Sequence, residues 1–409
     1  MQDELLTKNN IQNAKKTMLK YNLCDSCLGR IYAKIGRYSS NASRGELVRK
    51  ELKIKMQVES KNCSLCNGLI SEIPIFTKLI YDSLKEYEYN TFLVGVIVDE
   101  DIILKEEEIF SYSKSENTES IKNELKREIG KKLEKTTKKI VDFKKPMIMA
   151  VIDTAYNIVD MQIESLYLYG KYQKFSRNIP QTKWFCKICR GKGCRKCKYT
   201  GKLYPDSVEE LIAKFIIDIT KGEDEKFHGA GREDIDVKML GEGRPFIIEI
   251  TNPKKRNIDL NQIMLKINKE YKQLIKIEKL RYSNKDEIVR IKNSKFNKIY
   301  EITLKSDKII NIEKLKKVVQ SLRDLTINQY TPSRVAHRRA EMIREKKIYN
   351  CEIKAIENTI AKITLEAESG TYIKELVSGD DGRTTPSISE MLGTPCKVTE
   401  LDVIEIKGE

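Results

Sequence analysis

The stretch HGAGREDIDVKMLGEGRPFIIEI, residues 228–250, sets Arg232, Glu233, Asp234 and Asp236 among glycines in a turn that runs into an apolar strand, Phe246 to Ile250. Glycines let a backbone turn sharply and approach a ligand closely. Carboxylates beside an arginine suit either a charged reaction site or a turn whose aspartates cap backbone amides. Gly241-Glu242-Gly243 is too short for a dinucleotide loop and leads into a strand, where such a loop would open a helix. Further strands are expected at Lys298–Leu304, Ile348–Ile356 and Ile363–Ala367, with helices at Asp259–Ile277 and Ile312–Leu322. Strands and helices in no strict βαβ order imply an α+β domain around a mixed, largely antiparallel sheet. Ser207 and Glu210 form a capping pair for the helix that opens this domain.

The 409 residues carry 76 Lys and Arg against 60 Asp and Glu, a net charge of +16, which favours a polyanionic partner, most simply nucleic acid. There is no apolar run of membrane-spanning length, and the start MQDELLTKNN is polar, so a cytoplasmic protein is expected. P-loop and GxGxxG motifs are missing, which argues against a nucleotide cofactor.

Ten cysteines in a reducing compartment would be odd as disulfides, and the spacing of eight of them points to metal. Cys24 and Cys27, with Cys63 and Cys66, are two CxxC knuckles that could close a tetrahedral zinc site with no open position, hence a structural one. Cys186, Cys189, Cys194 and Cys197 fall within twelve residues and could form a second site, or a redox-active cluster. The lysines and arginines between them make that segment strongly positive. Cys351 and Cys396 read as small buried side chains.

Four parts are expected: a helical zinc module over 1–70, an α/β domain over 71–184, a Cys-rich connector over 185–204 and the α+β domain over 205–409. In the second part, Phe92–Leu104 reads as strand-turn-strand, Ile121–Lys139 as a charged helix, and Asp142–Ile163 as a hairpin-like pair of apolar segments.

The second part, with Asp142-Phe143 before Pro146, the strand at Asp153, and Ile179–Trp184 after SLYLYGKYQKFSRN, resembles a THUMP domain, the RNA-binding module of several tRNA-modifying enzymes. The loop AGREDIDVKMLGEGRPF, together with QYTPSRVAHRRA and SGTYIKELVSGDDGRTTPSISEMLG, resembles the archaeal and eukaryotic tRNA pseudouridine synthase family that acts in the TΨC loop. With the early CxxC pairs, the resemblance spans nearly the whole chain. It implies isomerisation of uridine to pseudouridine at tRNA positions 54 and 55, with structural zinc and no organic cofactor. It makes Asp234 the catalytic carboxylate, with Asp236 the rival, since both would share one face of a strand. Tyr300 and Tyr372 would bind the target base; on the residues alone, either reads as a core aromatic. Arg232 would hold Asp234 ionised, Lys374 would be a charged partner for Asp234 or phosphate, and Arg334, Arg338 and Arg383 would line the RNA path. Two other functions fit parts of the sequence: a non-catalytic zinc-dependent tRNA-binding protein, and a THUMP-bearing tRNA methyltransferase or thiolation enzyme, the latter lacking its glycine-rich cofactor loop.

Overall fold

A computed structural model describes residues 2–35 and 40–408. The chain divides into two compact units, Met1–Glu164 and Ser165–Glu409. Among the described residues, no helix is long and apolar enough to cross a membrane.

The first unit contains α1 (Gln2–Leu5), α2 (Lys8–Lys20), α3 (Asp25–Arg30), α4 (Asn41–Glu51), α5 (Ile73–Leu84), β1 (Thr91–Ile97), α6 (Glu100–Ser113), α7 (Ile121–Thr137), β2 (Ile140–Val141), β3 (Ile148–Asp153) and β4 (Ile158–Ile163). Its sheet has the order β2-β1-β3-β4, with β1 parallel to β2 and β3 and the β3–β4 pair antiparallel. One apolar core joins the cysteine knuckles to this sheet, so 1–70 and the segment after it are not separately packed. Two glycines bring α3 and α4 together: a Cβ on Gly29 would lie 1.8 Å from the Asn41 carbonyl oxygen, and one on Gly45 would lie 1.9 Å from that of Asp25.

The second unit contains β5 (Leu166–Lys174), α8 (Val208–Thr220), β6 (Asp224–Gly229), β7 (Lys238–Thr251), α9 (Leu260–Glu270), β8 (Ile275–Tyr282), α10 (Lys285–Asn293), β9 (Asn297–Ser306), α11 (Ile312–Ser321), β10 (Thr326–Tyr330), β11 (Ile343–Glu357), β12 (Ile360–Ala367), α12 (Ile373–Ser378), β13 (Thr384–Thr385), α13 (Ile388–Leu392) and β14 (Cys396–Lys407). The sheet runs β13-β10-β11-β12-β9-β14-β7-β5-β8, with β6 added beside β7. The pairings are antiparallel except at the centre, where β14 meets β7 in parallel through Asp402–Lys238 and Val403–Met239. The expected mixed, largely antiparallel sheet is therefore the observed one, and its single parallel junction lies beside the 228–250 loop. Ser207 caps α8 as expected, its Oγ accepting from the Glu210 N–H at 3.2 Å and donating to the Glu210 carboxylate at 2.8 Å.

Several expectations are corrected. Phe92–Leu104 is not a strand pair: β1 ends at Ile97, Asp99 caps a helix with its side chain on the Asp101 N–H at 2.9 Å, and the apolar residues after it belong to α6. The helix expected through Ile277 stops at Glu270, and the alternating IKIEKLRY that follows forms β8. LYLYGKYQK, assigned above to the α/β domain ending at 184, is β5 of the large sheet, held between β7 and β8 and mostly buried, which places the division at Glu164. Cys351 and Cys396 are buried core residues, as read.

Replacing Gly45 with Ala should force α3 and α4 apart, at a cost of about 3 kcal/mol to the first unit. Native-state hydrogen exchange should show faster exchange in both helices; unchanged protection there would contradict the close approach.

Candidate active site and thiolate clusters

Residues 230–237 form a loop between β6 and β7, not a strand, so Asp234 and Asp236 do not share a pleated face. What fixes the loop is a buried polar group beneath it. Glu233 is 7% exposed, and its Oε2 lies 2.9 Å from Arg244 Nε as an ion pair in which both side chains are almost fully enclosed. The Tyr172 hydroxyl donates to Glu233 at 2.8 Å and accepts from the Gln181 amide at 2.8 Å, and that amide also donates to the Gly231 carbonyl at 3.0 Å. Arg244 Nη1 donates to the Ala230 carbonyl at 2.8 Å. Burial, reinforced by Glu233, pushes the Tyr172 phenol well above its usual range, so it stays a donor. Lys174, fully buried in β5, reaches up from below and donates to the carbonyls of Ile235 at 2.8 Å and Ile179 at 3.0 Å. Burial pulls this amine down to about 8.

Gly241 and Gly243 have a different task from phosphate binding. They sit inside β7 with φ of +59° and +82°, and a Cβ would lie 2.0 Å from the Ile404 carbonyl oxygen at the first and 2.7 Å from that of Tyr172 at the second. Only glycine tolerates both the φ and the approach. The irregularity lets β7 pair with β5 while abutting β14, and so sets the base of the loop.

Glu233 is directed inward, and Asp234 faces a cleft of about 650 Å³ lined in part by Trp184, Tyr300, Tyr372, Arg339 and Lys298. Arg334 Nη1 lies 3.0 Å from the Asp234 carboxylate, and Lys374 Nζ lies 3.4 Å from it. The buried Glu375 holds Arg334 in place by accepting from its Nε at 2.6 Å. Asp236 receives Lys374 at 2.7 Å; burial works against its charge, but this lysine holds its carboxyl below the usual range. The two aspartates differ in exposure, with the Asp234 side chain at 37% and that of Asp236 at 63%, so Asp234 is the more enclosed by the cleft.

Arg232 does not pair with Asp234. Its guanidinium lies 5.3 Å from the centroid of the Trp184 ring, and the cations on Asp234 come from Arg334 and Lys374, a hundred or more residues downstream. Tyr300 projects from β9 on the same face as Ile302 and Leu304 and is 8% exposed, with burial raising its phenol to about 12. Tyr372 is the N-cap residue of α12 and does not lie at a strand mouth; the buried Gln329 grips its backbone, accepting from its N–H at 2.8 Å and donating to its carbonyl at 2.9 Å. Its hydroxyl accepts from Arg339 at 3.2 Å. Arg383 stands back from the cleft wall, donating to the Thr331 carbonyl at 3.1 Å and lying 5.0 Å from the Tyr330 ring centroid, so it braces the turn carrying Arg334. The Arg338 side chain lies outside the described residues. Sequence reading missed Lys298, Lys174 and the Tyr172–Gln181–Glu233–Arg244 group, whereas Arg339 falls in the arginine-rich element read at 334–339. Lys298 is a buried lysine in the cleft wall, pulled down to about 8 by burial and then by Arg244 and Lys346.

Both cysteine groups could hold a metal ion: in each, four ligand atoms lie within 4.8 Å of one another. In the buried first group Cys24 and Cys66 have sulfurs 3.9 Å apart; in the second the separations are 3.9 Å (Cys186–Cys194), 3.8 Å (Cys189–Cys197) and 3.7 Å (Cys194–Cys197). A tetrahedron of thiolates about 2.3 Å from a metal has edges of about 3.8 Å. Around the first group, the buried Arg30, which also pairs with Glu106 and with Glu124 at 3.1 Å, donates to the Cys27 sulfur at 3.3 Å. Around the second, the backbone amides of Gly193 and Gly201 donate to Cys189 and Cys197 at 3.2 and 3.3 Å.

The family model described as Pus10, C-terminal, matches residues 167–407, and that described as Pus10 THUMP domain, archaeal, matches residues 76–153. The chain belongs to the Pus10 family. Its curated relatives named tRNA pseudouridine synthase Pus10 include that of Methanocaldococcus jannaschii, 40% identical over 95% of this chain and 92% of the relative, and that of Methanothrix thermoacetophila, 34% identical over 99% and 96%. The two Pus10 matches are separated by residues 154–166, and the break between the compact units falls there too. The C-terminal Pus10 match takes in β5 and its Lys174 as well as the 228–250 loop, which accords with a loop pinned from β5.

Replacing Glu233 with Gln leaves Arg244 buried without its counter-charge and should cost about 3–5 kcal/mol. Denaturant unfolding of the second unit should register that loss; a change below about 1 kcal/mol would mean the pair is not what holds the loop.

Proposed function

We propose that this chain isomerises uridine to pseudouridine at positions 54 and 55 of the TΨC loop of tRNA, with Asp234 as the reacting carboxylate. Membership of the Pus10 family makes it a tRNA pseudouridine synthase; the positions and the residue roles are our reading. The observation that carries it is an Asp234 carboxylate held on a rigid loop at the wall of a 650 Å³ cleft by Arg334 at 3.0 Å and Lys374 at 3.4 Å.

The reaction breaks the N1–C1′ glycosidic bond, turns the uracil and joins C5 to C1′, with the C5 proton passing to water, N1 taking up a proton in its place, and no net redox change. It needs no electron carrier, and the work falls on side chains. The target base must leave the stack, at a cost of a few kcal/mol, to reach a carboxylate set in a wall. Arg334 and Lys374 lie against the Asp234 carboxylate and orient it; a carboxylate can serve either by attack at C1′ or by removal of the ribose 2′ proton. Glu375 holds Arg334 by its Nε, leaving the guanidinium in place when RNA phosphate approaches. Tyr300 and Tyr372 offer aromatic faces to the base, and Lys298, Arg339 and Arg232 supply positive charge for the phosphates beside it. Because burial holds the Tyr300 phenol near 12, it remains protonated at neutral pH and can both donate and accept.

We assign Zn²⁺ to both thiolate clusters. Four sulfurs fill a tetrahedral ion and leave no position for substrate, so the metal stabilises the fold and does not enter the reaction.

Tritium release from tRNA labelled at uracil C5 tests the chemistry. Wild type should release it, and Asp234→Asn should be slower by at least about 10³-fold. Asp236→Asn should retain most of the rate; release by Asp234→Asn at the wild-type rate would sink the assignment. Metal analysis should give two zinc ions per chain, falling to one in Cys24→Ser or in Cys186→Ser, and an unchanged ratio would reject the corresponding site.

A further inference from the structure

Residues 185–203, FCKICRGKGCRKCKYTGKL, carry Lys187, Arg190, Lys192, Arg195, Lys196, Lys198 and Lys202 and no acidic residue. The segment is a small hairpin closed on the second thiolate cluster. Its root is fixed: the Leu203 N–H donates to the Trp184 carbonyl at 2.8 Å, the Cys186 N–H to the Gly201 carbonyl at 2.7 Å, and the Trp184 and Tyr204 rings meet edge to face at 5.7 Å. Lys202 is tied to Glu210 at 2.6 Å. The remaining cations are exposed along a hairpin that also exposes rings and an aliphatic chain: Phe185 is 58% exposed, Ile188 61% and Tyr199 71%.

Cations interleaved with exposed aromatics around a closed metal knuckle suit unpaired nucleic acid, since phosphates take the charge and unstacked bases take the rings. A core-forming role does not explain the exposed rings. The position gives the hairpin its object: Trp184, in the wall of the cleft that Asp234 faces, immediately precedes Phe185, so the root of the hairpin adjoins that wall.

We infer that the 185–203 hairpin is a second RNA-binding element that grips unpaired loop nucleotides flanking the extruded uridine, with phosphates on Lys187, Lys192 and Arg195 and a base on Tyr199. The inference rests on the tRNA-modifying reading above, but it is read out by binding and not by isomerisation.

The test is equilibrium binding of full-length protein to unmodified tRNA as a function of salt. The combined variant Lys187→Gln, Lys192→Gln and Arg195→Gln, with all cysteines intact, should keep two metal ions per chain. It should weaken binding at least tenfold near physiological salt and lower the slope of log K against log salt by about 2, since each phosphate contact on single strands contributes about 0.7. Tyr199→Ala changes no charge and no backbone preference, and should weaken binding to tRNA about tenfold while leaving binding to a blunt duplex of the same stem unchanged. Both variants binding tRNA within twofold of wild type, with an unchanged salt slope, would overturn the inference even if wild type makes pseudouridine. Weakened binding would stand even if tritium release failed.

Discussion

The buried pair of Glu233 and Arg244 is the constraint on which the geometry of the candidate site depends. Two charges enclosed at 2.9 Å would be an expensive way to fill space if stability were the only gain. Here the pair fixes register. Arg244 is anchored in β7 and Glu233 lies one residue before Asp234, so their contact determines where the next side chain goes. Tyr172 and Gln181 complete the polar group, and Lys174 gathers the loop carbonyls from below, so the loop cannot slide along the sheet without exposing several unpaired groups.

The central sheet explains why this loop and its partners meet. β14 and β7 pair in parallel while β14 also pairs with β9 in antiparallel fashion. This brings Tyr300 of β9, the 230–237 loop before β7 and α12 before β14 around one cleft. The cations on Asp234 arrive from two separate segments, Arg334 from the turn after β10 and Lys374 from α12, and Glu375 of α12 locks the first of them. A carboxylate positioned this way has its charge held by groups that are themselves held, which is the arrangement preorganised catalysis requires.

Much of this was legible in the sequence where a local pattern carries its own physical meaning. The Arg232-Glu233-Asp234 turn, the paired CxxC knuckles and the alternating strand β9 could all be read from short windows, whereas Tyr300 and Tyr372 read on the residues alone as core aromatics. Three kinds of information could not. Arg232 looks like the partner of Asp234 because it is adjacent, but its path leads to the Trp184 ring, and the real partners are remote in sequence. Lys174 reads as a solvated lysine in LYLYGKYQK; only the pairing of β5 between β7 and β8 reveals that its face is buried. Short apolar runs such as that of α6 are ambiguous between strand and helix, and the Asp99 cap decides the matter only once its hydrogen bond is seen.

We propose that one carboxylate in one cleft makes both modifications. Position-resolved chemical mapping of pseudouridine in a tRNA transcript, after incubation with wild type and with Asp234→Asn, tests it most directly. The account predicts pseudouridine at positions 54 and 55 with wild type and its loss from both in the variant. Persistence of either modification in the variant, or formation of neither by wild type, would contradict it.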